Sequence, residues 1–233
     1  MTLQLLTATG CRPAAWALCE RWMARQTYAG AVRWVIVDDG VEPQPVTFGR
    51  PGWDVIIIRP SPRWEPGQNT QARNLIAGLT AVTGADPLIV IEDDDWYAPD
   101  YLEWVADQFA THRVHMVGES FARYYHVGRA VGRQLDNRRH ASLCSTATCG
   151  PGTAVFRRVV GRRKKFIDLE LWRSFQGLRR LVRGARVCGI KGMPGRDGIG
   201  AGHSDSFHGR ADPHGDLLRE WVGGDAEAYQ YGN

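Results

Sequence analysis

Four consecutive carboxylates, Glu92-Asp93-Asp94-Asp95, follow directly on the apolar run Leu88–Ile91. Like charges packed this closely repel one another and need a cation, hydrogen-bond donors or open water. At the carboxyl end of a buried strand, where open α/β sheets bind their ligands, a divalent metal is the natural compensator. Mg²⁺ and Mn²⁺ take oxygen ligands and often bind through one or two carboxylates plus substrate phosphates. The cluster therefore points to metal-assisted chemistry on a phosphorylated substrate. A second acidic pair, Asp38-Asp39, stands before Gly40, where it can form a turn or accept hydrogen bonds from a base or ribose.

These groups need elements to hold them. Leu3–Thr7, Trp34–Val37, Val55–Ile58 and Leu88–Ile91 are continuous apolar runs of strand length. Between or after them, Arg12–Gln26, Asn69–Val82 and the stretch from Pro99 through Phe109 carry apolar residues at helical spacing. Such strands separated by helices imply a mainly parallel sheet covered on both faces. In a doubly wound arrangement the ends at Thr7-Ala8-Thr9, Asp38-Asp39 and Glu92–Asp95 share one edge. After Val114 the pattern changes. Val114–Val127 and Arg129–Leu135 read as neighbouring strands, Ala154–Arg157 as another and Asp168–Phe175 as a short helix. Residues 189–203 hold many glycines and read as a loop whose backbone approaches a ligand. Asp225–Asn233 is expected to fray.

The chain has 233 residues, enough to bury a core without disulfides. Its five cysteines show no paired zinc spacing. The N-terminal residues lack the basic flank and long apolar stretch of a signal peptide, so a soluble, cytoplasmic protein is expected. The net charge of +4 hides an asymmetry. Between Ser120 and Lys191 stand 17 Lys and Arg against three acids, and the remainder carries 12 against 22. A split of that size points to a polyanionic partner.

The order Trp34-Val-Ile-Val-Asp-Asp-Gly40, then Gln71-Ala-Arg-Asn-Leu75, then Ile89-Val-Ile-Glu-Asp-Asp-Asp-Trp-Tyr-Ala-Pro99 resembles family 2 glycosyltransferases. The resemblance covers residues 1–110 well, and 152–158 and 166–175 more loosely. It implies the GT-A fold, an α/β architecture with a mainly parallel central sheet and a small antiparallel addition in the second half. On this reading residues 1–112 bind the sugar nucleotide and residues 113–233 the acceptor, within a single domain. The family uses a nucleotide-diphosphate sugar, usually with uracil as the base, and a divalent metal. Position by position, Thr7 and Thr9 would lie beside the nucleotide, and Asp39 with Asp38 would read the base. Arg73 would approach the phosphates or brace the acids. The family's Asp-x-Asp motif falls on Glu92–Asp94, which makes Asp94 the metal ligand and Asp93 a sugar or ribose contact. Glu92 in the first position departs from the pattern. Asp168 matches the catalytic base of an inverting transfer, with Glu170 second. Asp168 equally suits a helix cap. His203, late in the chain, resembles a further metal ligand of some GT-A enzymes.

Lys191 and Arg196 in the glycine-rich loop are placed to neutralise a diphosphate leaving group. For the acceptor, Arg157, Arg158, Arg162, Arg163, Lys164 and Lys165 flank Asp168, and Trp172 is a stacking candidate. Phosphates would satisfy such a surface. The expected acceptor is therefore DNA at hydroxymethylated bases, similar in type to small bacteriophage enzymes. A base in duplex must be extruded to react, which makes Trp172 or Tyr124 a wedge. A glycan, lipid or protein acceptor shares the whole donor argument. A sugar-phosphate nucleotidyltransferase would need a fuller Gly-rich N-terminal loop than Leu5–Arg12 supplies. A non-catalytic DNA-binding module leaves the acids unexplained.

Overall fold

The computed structural model describes residues 1–163, 166–196, 203 and 207–229. Seven strands form one sheet in the order β10-β6-β9-β4-β1-β2-β3. Its parallel centre is built from β1 (Leu3–Thr9), β2 (Val32–Asp38), β3 (Trp53–Ile58) and β4 (Leu88–Val90). Strand β9 (Thr146–Thr148) runs antiparallel between β4 and β6 (Met116–Glu119), and β10 (Arg179–Val182) closes that edge parallel to β6.

The apolar runs are continuous because both faces of this sheet are covered. Leu3 and Leu5 of β1, Trp34 and Ile36 of β2, and Ile89 of β4 pack with Trp16, Trp22 and Met23 of α1 (Pro13–Ala24). Leu102 and Val105 of α3 (Tyr101–Thr111) join the same core. Leu6, Val35, Val37, Leu88 and Val90 point the other way. They meet Leu75 and Leu79 of α2 (Gln71–Leu79), Phe156 and Val159 of α4 (Pro151–Gly161), and Leu171 of α5 (Ile167–Ser174). Side chains alternate across a strand, so each run serves two cores.

The second-half addition is a five-stranded sheet of its own, in the order β12-β8-β7-β11-β5. It contains β5 (Trp96–Tyr97), β7 (Phe121–His126), β8 (Val131–Asp136), β11 (Val187–Lys191) and β12 (Arg210–Ala211). Its pairs are antiparallel except β7 with β11. The chain leaves β4 in the first sheet, passes through Glu92–Asp95 and enters β5 in the second. The acidic cluster thus lies at the junction of the sheets, and β11 brings Lys191 to it.

Three sequence expectations are corrected. The stretch Val114–Val127 is not one strand, because it is divided at Ser120 between β6 and β7, which belong to different sheets. Ala154–Arg157 is helical, inside α4, where Pro151 opens the helix and Phe156, Val159 and Val160 recur at helical spacing on its buried face. The segment expected to fray is packed as far as Tyr229. The Trp22 indole donates to Tyr229 Oη at 2.8 Å, and Arg25 clasps Asp225 through both nitrogens. A helix α6 (Asp216–Val222) followed by a 3-10 helix (Gly223–Tyr229) lays these groups on α1. No helix among the described residues is long and apolar enough to cross a membrane.

Candidate active site

The ends of β1 and β4 open on a cavity of about 500 Å³. Thr9, Arg12, Glu92, Asp93 and Asp94 line one end of it, Asp168 and Ile167 belong to its second-half wall, and Lys191, Arg196 and His203 also face it. Tyr124, Leu135, Leu143, Phe166 and Phe207 make a largely apolar flank beside Asp168. The sheet junction therefore brings the carboxylate cluster and the isolated carboxylate of the second half into one chamber.

Built-in cations and donors meet most of the acids' oxygens, while Asp95 Oδ2 is buried with no hydrogen-bond partner among the described residues. Arg12 spans the pair, with Nη1 2.6 Å from Asp93 Oδ1 and Nη2 2.7 Å from Asp94 Oδ2. The Thr9 hydroxyl donates to Asp93 Oδ2 at 2.8 Å. Lys191 Nζ lies 3.1 Å from Asp95 Oδ1 and 3.8 Å from Asp94 Oδ1. Asp95 Oδ1 also accepts the backbone N–H of Ile190. The cluster is thus two cations inside four acids, and it shifts those acids in opposite directions. Burial pushes Asp95, Asp93 and Glu92 above the ordinary carboxylate range. For Asp94 the same burial is outweighed by Arg12, Lys191 and His203, which hold it well below that range. Asp94 is the acid kept ionised.

His203 Nε2 lies 3.5 Å from Asp94 Oδ2. Burial, with Lys191 nearby, pushes its imidazole down to about 3, so the ring is neutral and its lone pair is available. An ionised carboxylate beside a neutral imidazole suits Mn²⁺ or Mg²⁺ completed by phosphate oxygens. The donor set fits the metal expected from the sequence. Arg12 shares the same Asp94 oxygen, so metal and guanidinium compete for it.

The second acidic pair divides in role. Asp38 is fully used in its turn, where it accepts the backbone N–H groups of Gly40 and Gln44 and faces Arg59 Nε at 3.3 Å. Both of its oxygens are therefore engaged within the first half of the chain. Asp39 accepts the Thr70 hydroxyl and Arg73 on Oδ2 and Arg196 Nη1 at 2.6 Å on Oδ1. Gly10 is required beside it. Its φ is +145°, and a Cβ there would stand 2.6 Å from Asp39 Oδ1. Arg196 is thus paired with Asp39, and it also lines the cavity that holds Asp93 and Asp94. Thr7 is buried under Trp34, whose indole donates to its hydroxyl, and does not line the cavity.

Asp168 sits in the first turn of α5, whose N-cap position belongs to Phe166. Burial raises its carboxyl above the ordinary range, against backbone N–H groups and His140, which lower it. Glu170 points elsewhere, paired with Arg162 at 2.9 Å and accepting the Ser174 hydroxyl.

Much of the basic excess has internal work. Arg157 donates to the carbonyls of Leu79 and Val82, both at 2.6 Å. Arg179 binds the carbonyls of Trp172 and Phe175. Arg186 bridges Glu119 and Asp100. Trp172 is buried, its indole donates to the Thr146 hydroxyl, and it does not line the cavity. Arg157 and Trp172 therefore spend these donors inside the fold. Arg158, Arg162 and Arg163 are exposed, and Lys164 and Lys165 lie outside the described residues. Arg157→Ala would leave two carbonyls at the end of α2 without their donor. It is expected to lower stability by about 2 kcal/mol in a thermal melt and to leave the salt dependence of acceptor binding unchanged.

Sequence reasoning passed over Arg12, although its position directly after β1 at the ligand-binding edge was the available signal. Thr70, Trp64 and the apolar flank carried no signal, because loops from distant parts of the chain bring them together.

No protein-family model matches the chain, and no curated protein matches it. Solved structures do. The structure of TarS from S. aureus superposes with a TM-score of 0.60 at 13% identity, over 82% of this chain and 37% of that one. TarS 1–349 in complex with UDP-GlcNAc gives a TM-score of 0.55 at 10% identity, over 89% of this chain and 62% of that one. The mannosyltransferase PcManGT from Pyrobaculum calidifontis, in complex with GDP-Man and Mn²⁺, gives 0.52 at 12% identity, over 82% and 57%. This chain thus spans between about a third and two thirds of the length of these structures. A mostly parallel central sheet flanked by helices, with these neighbours, shows that the chain has the GT-A fold.

Proposed function

We propose that the chain is a metal-dependent, inverting glycosyltransferase of the hexosyl type. It moves a sugar from a nucleotide diphosphate, with UDP the expected carrier, to a hydroxyl acceptor. One observation carries this reading, namely that Asp168 shares a single cavity with Asp93, Asp94, Lys191 and His203. A transfer with inversion needs a base on the side of the sugar opposite the leaving diphosphate. On this reading Asp168 would take the base position and the Asp94 side of the cavity the leaving-group position. Neighbours of the same fold bound to UDP-GlcNAc, or to GDP-Man and Mn²⁺, support a sugar-nucleotide donor.

Asp94 and His203 would hold the metal, which supplies positive charge to the diphosphate as the sugar departs. Lys191 and Arg12 add fixed cationic donors at the same end, the electrostatic contribution that matters most where charge develops. Asp168 accepts the proton of the acceptor hydroxyl. The hydroxyl oxygen forms the new bond to the anomeric carbon, and the old carbon–oxygen bond breaks with its electron pair leaving on the diphosphate. Tyr124, Leu143 and Phe166 give the acceptor an apolar flank and limit the water that would compete.

The finer acceptor reading is a hydroxymethylated base in DNA. The exposed residues Arg133, Arg138, Arg139, Arg158, Arg162, Arg163 and Arg173 support it, as does a flank suited to a flat ring. Transfer from labelled sugar nucleotides with Mn²⁺ onto DNA containing hydroxymethylated or unmodified bases tests this. Label on hydroxymethylated DNA alone, abolished by EDTA, is the expected result. Label on glycan or protein acceptors instead, insensitive to salt, would keep the donor chemistry and remove DNA.

A further inference from the structure

Arg196 makes a set of contacts that a side chain rarely collects by itself. Its guanidinium donates from Nη1 to Asp39 Oδ1 and from Nη2 to the Thr70 hydroxyl, each at 2.6 Å. The same plane lies over the Trp64 ring, 4.5 Å from the centroid. Its backbone N–H is tied to the Cys11 carbonyl at 3.1 Å. The receiving groups are fixed without it. The Trp64 backbone N–H donates to the Asp39 carbonyl at 2.8 Å, and its indole donates to the Gln68 carbonyl at 3.1 Å. Thr70 donates its own hydroxyl hydrogen to Asp39 Oδ2, which leaves its oxygen free to accept.

A buried carboxylate, an accepting hydroxyl and an anchored aromatic face together make a slot for a flat group with two adjacent N–H donors. A guanidinium has that form, and so does the N1–H and exocyclic amine edge of guanine, whereas uracil would offer Asp39 a single N–H. Arg196, Thr70 and Thr9 line the cavity that also holds Asp93 and Asp94, so a base in this slot would have its phosphates in the chamber of the acidic cluster. We propose that the Arg196 guanidinium occupies the nucleobase position of the donor, that Trp64 is the face on which the base stacks, and that base and Arg196 compete for Asp39. The proposal rests on the sugar-nucleotide reading above and deepens it. It reverses the sequence-derived role of Arg196, which becomes a competitor of the donor and no longer a partner of its diphosphate.

Competition by an internal group lowers apparent affinity by the fraction of molecules whose slot is free. Calorimetric titration with UDP, GDP and inorganic pyrophosphate, each with Mn²⁺, tests the assignment. R196A is expected to lower the Kd of the nucleotide that binds by about tenfold and to leave pyrophosphate unchanged. W64A in the R196A background is expected to raise that Kd by about tenfold, within the range for loss of base–aromatic stacking, again with pyrophosphate unchanged. W64F, which keeps a ring, should retain most of the affinity and guards against a folding defect in W64A.

Nucleotide affinity that is unchanged or weaker in R196A overturns the competition, and parallel weakening of pyrophosphate would make Arg196 a phosphate ligand. Equal nucleotide affinity in R196A and W64A/R196A overturns the stacking role while leaving the donor reading intact. Pyrophosphate binding with no binding of either nucleotide to any variant would overturn the donor reading and this inference together.

Discussion

Asp94→Ala is expected to abolish metal-dependent donor binding, with the Mn²⁺-dependent part of UDP or GDP affinity lost by more than about 100-fold, beyond the effect of changing groups that merely support a ligand. Asp94 is the acid of its cluster that the surroundings hold ionised, because Arg12, Lys191 and His203 outweigh the cost of its burial. Burial pushes Asp93 and Asp95 the other way. The substitution also deprives the Arg12 guanidinium of one of its two partners. Removing one partner of a buried pair commonly costs about 3–5 kcal/mol, so Asp94→Asn is the necessary companion. It keeps the shape and an acceptor oxygen for Arg12 but removes the charge. Metal-dependent binding lost in both variants, with a normal melting temperature in Asp94→Asn, assigns the effect to the metal. Retained Mn²⁺ dependence in Asp94→Asn would remove Asp94 as the ligand.

Asp168→Asn is expected to separate the two halves of the reaction. Donor affinity should be unchanged, whereas kcat for transfer should fall by roughly 10²–10⁴, the usual contribution of a positioned base. Asp168 lines the same cavity as the acidic cluster and, among the described residues, carries no ion pair comparable to the Glu170–Arg162 pair. Burial raises its carboxyl above the ordinary Asp range. A base works only when ionised, so transfer should be lost as pH falls through that raised value. The acid limb of the pH–rate profile should therefore lie above the ordinary Asp range, and it should vanish in Asp168→Asn. Normal transfer by this variant would end the assignment. A role as helix cap alone predicts a lower melting temperature without the kinetic separation.

The parallel centre of the sheet was legible in the sequence because burial on both faces writes itself as unbroken apolar runs, as in Leu3–Leu6 and Trp34–Val37. The convergence of Thr9, Asp39 and Asp94 followed from that topology, since parallel neighbours present their carboxyl ends on one edge. Three features were not legible, each for a physical reason. Ala154–Arg157 is too short and too mixed to reveal its period without Pro151 and Val159 beside it. Charge counting gives no account of geometry. Arg157 and Arg179 are spent on backbone carbonyls, which no sequence spacing signals. Asp38 and Asp39 are adjacent and chemically identical, yet one is consumed by its turn and the other faces Arg196, because successive side chains leave a strand end in opposite directions.

The central claim is that this cavity binds and activates a sugar nucleotide. Release of nucleoside diphosphate from a panel of UDP- and GDP-sugars, followed with Mn²⁺ and then with EDTA, tests it most directly. The account predicts that at least one donor is turned over with metal, that EDTA stops the release, and that Asp94→Asn lacks it. Failure of every donor to bind or react with the folded protein in the presence of Mn²⁺ would contradict it.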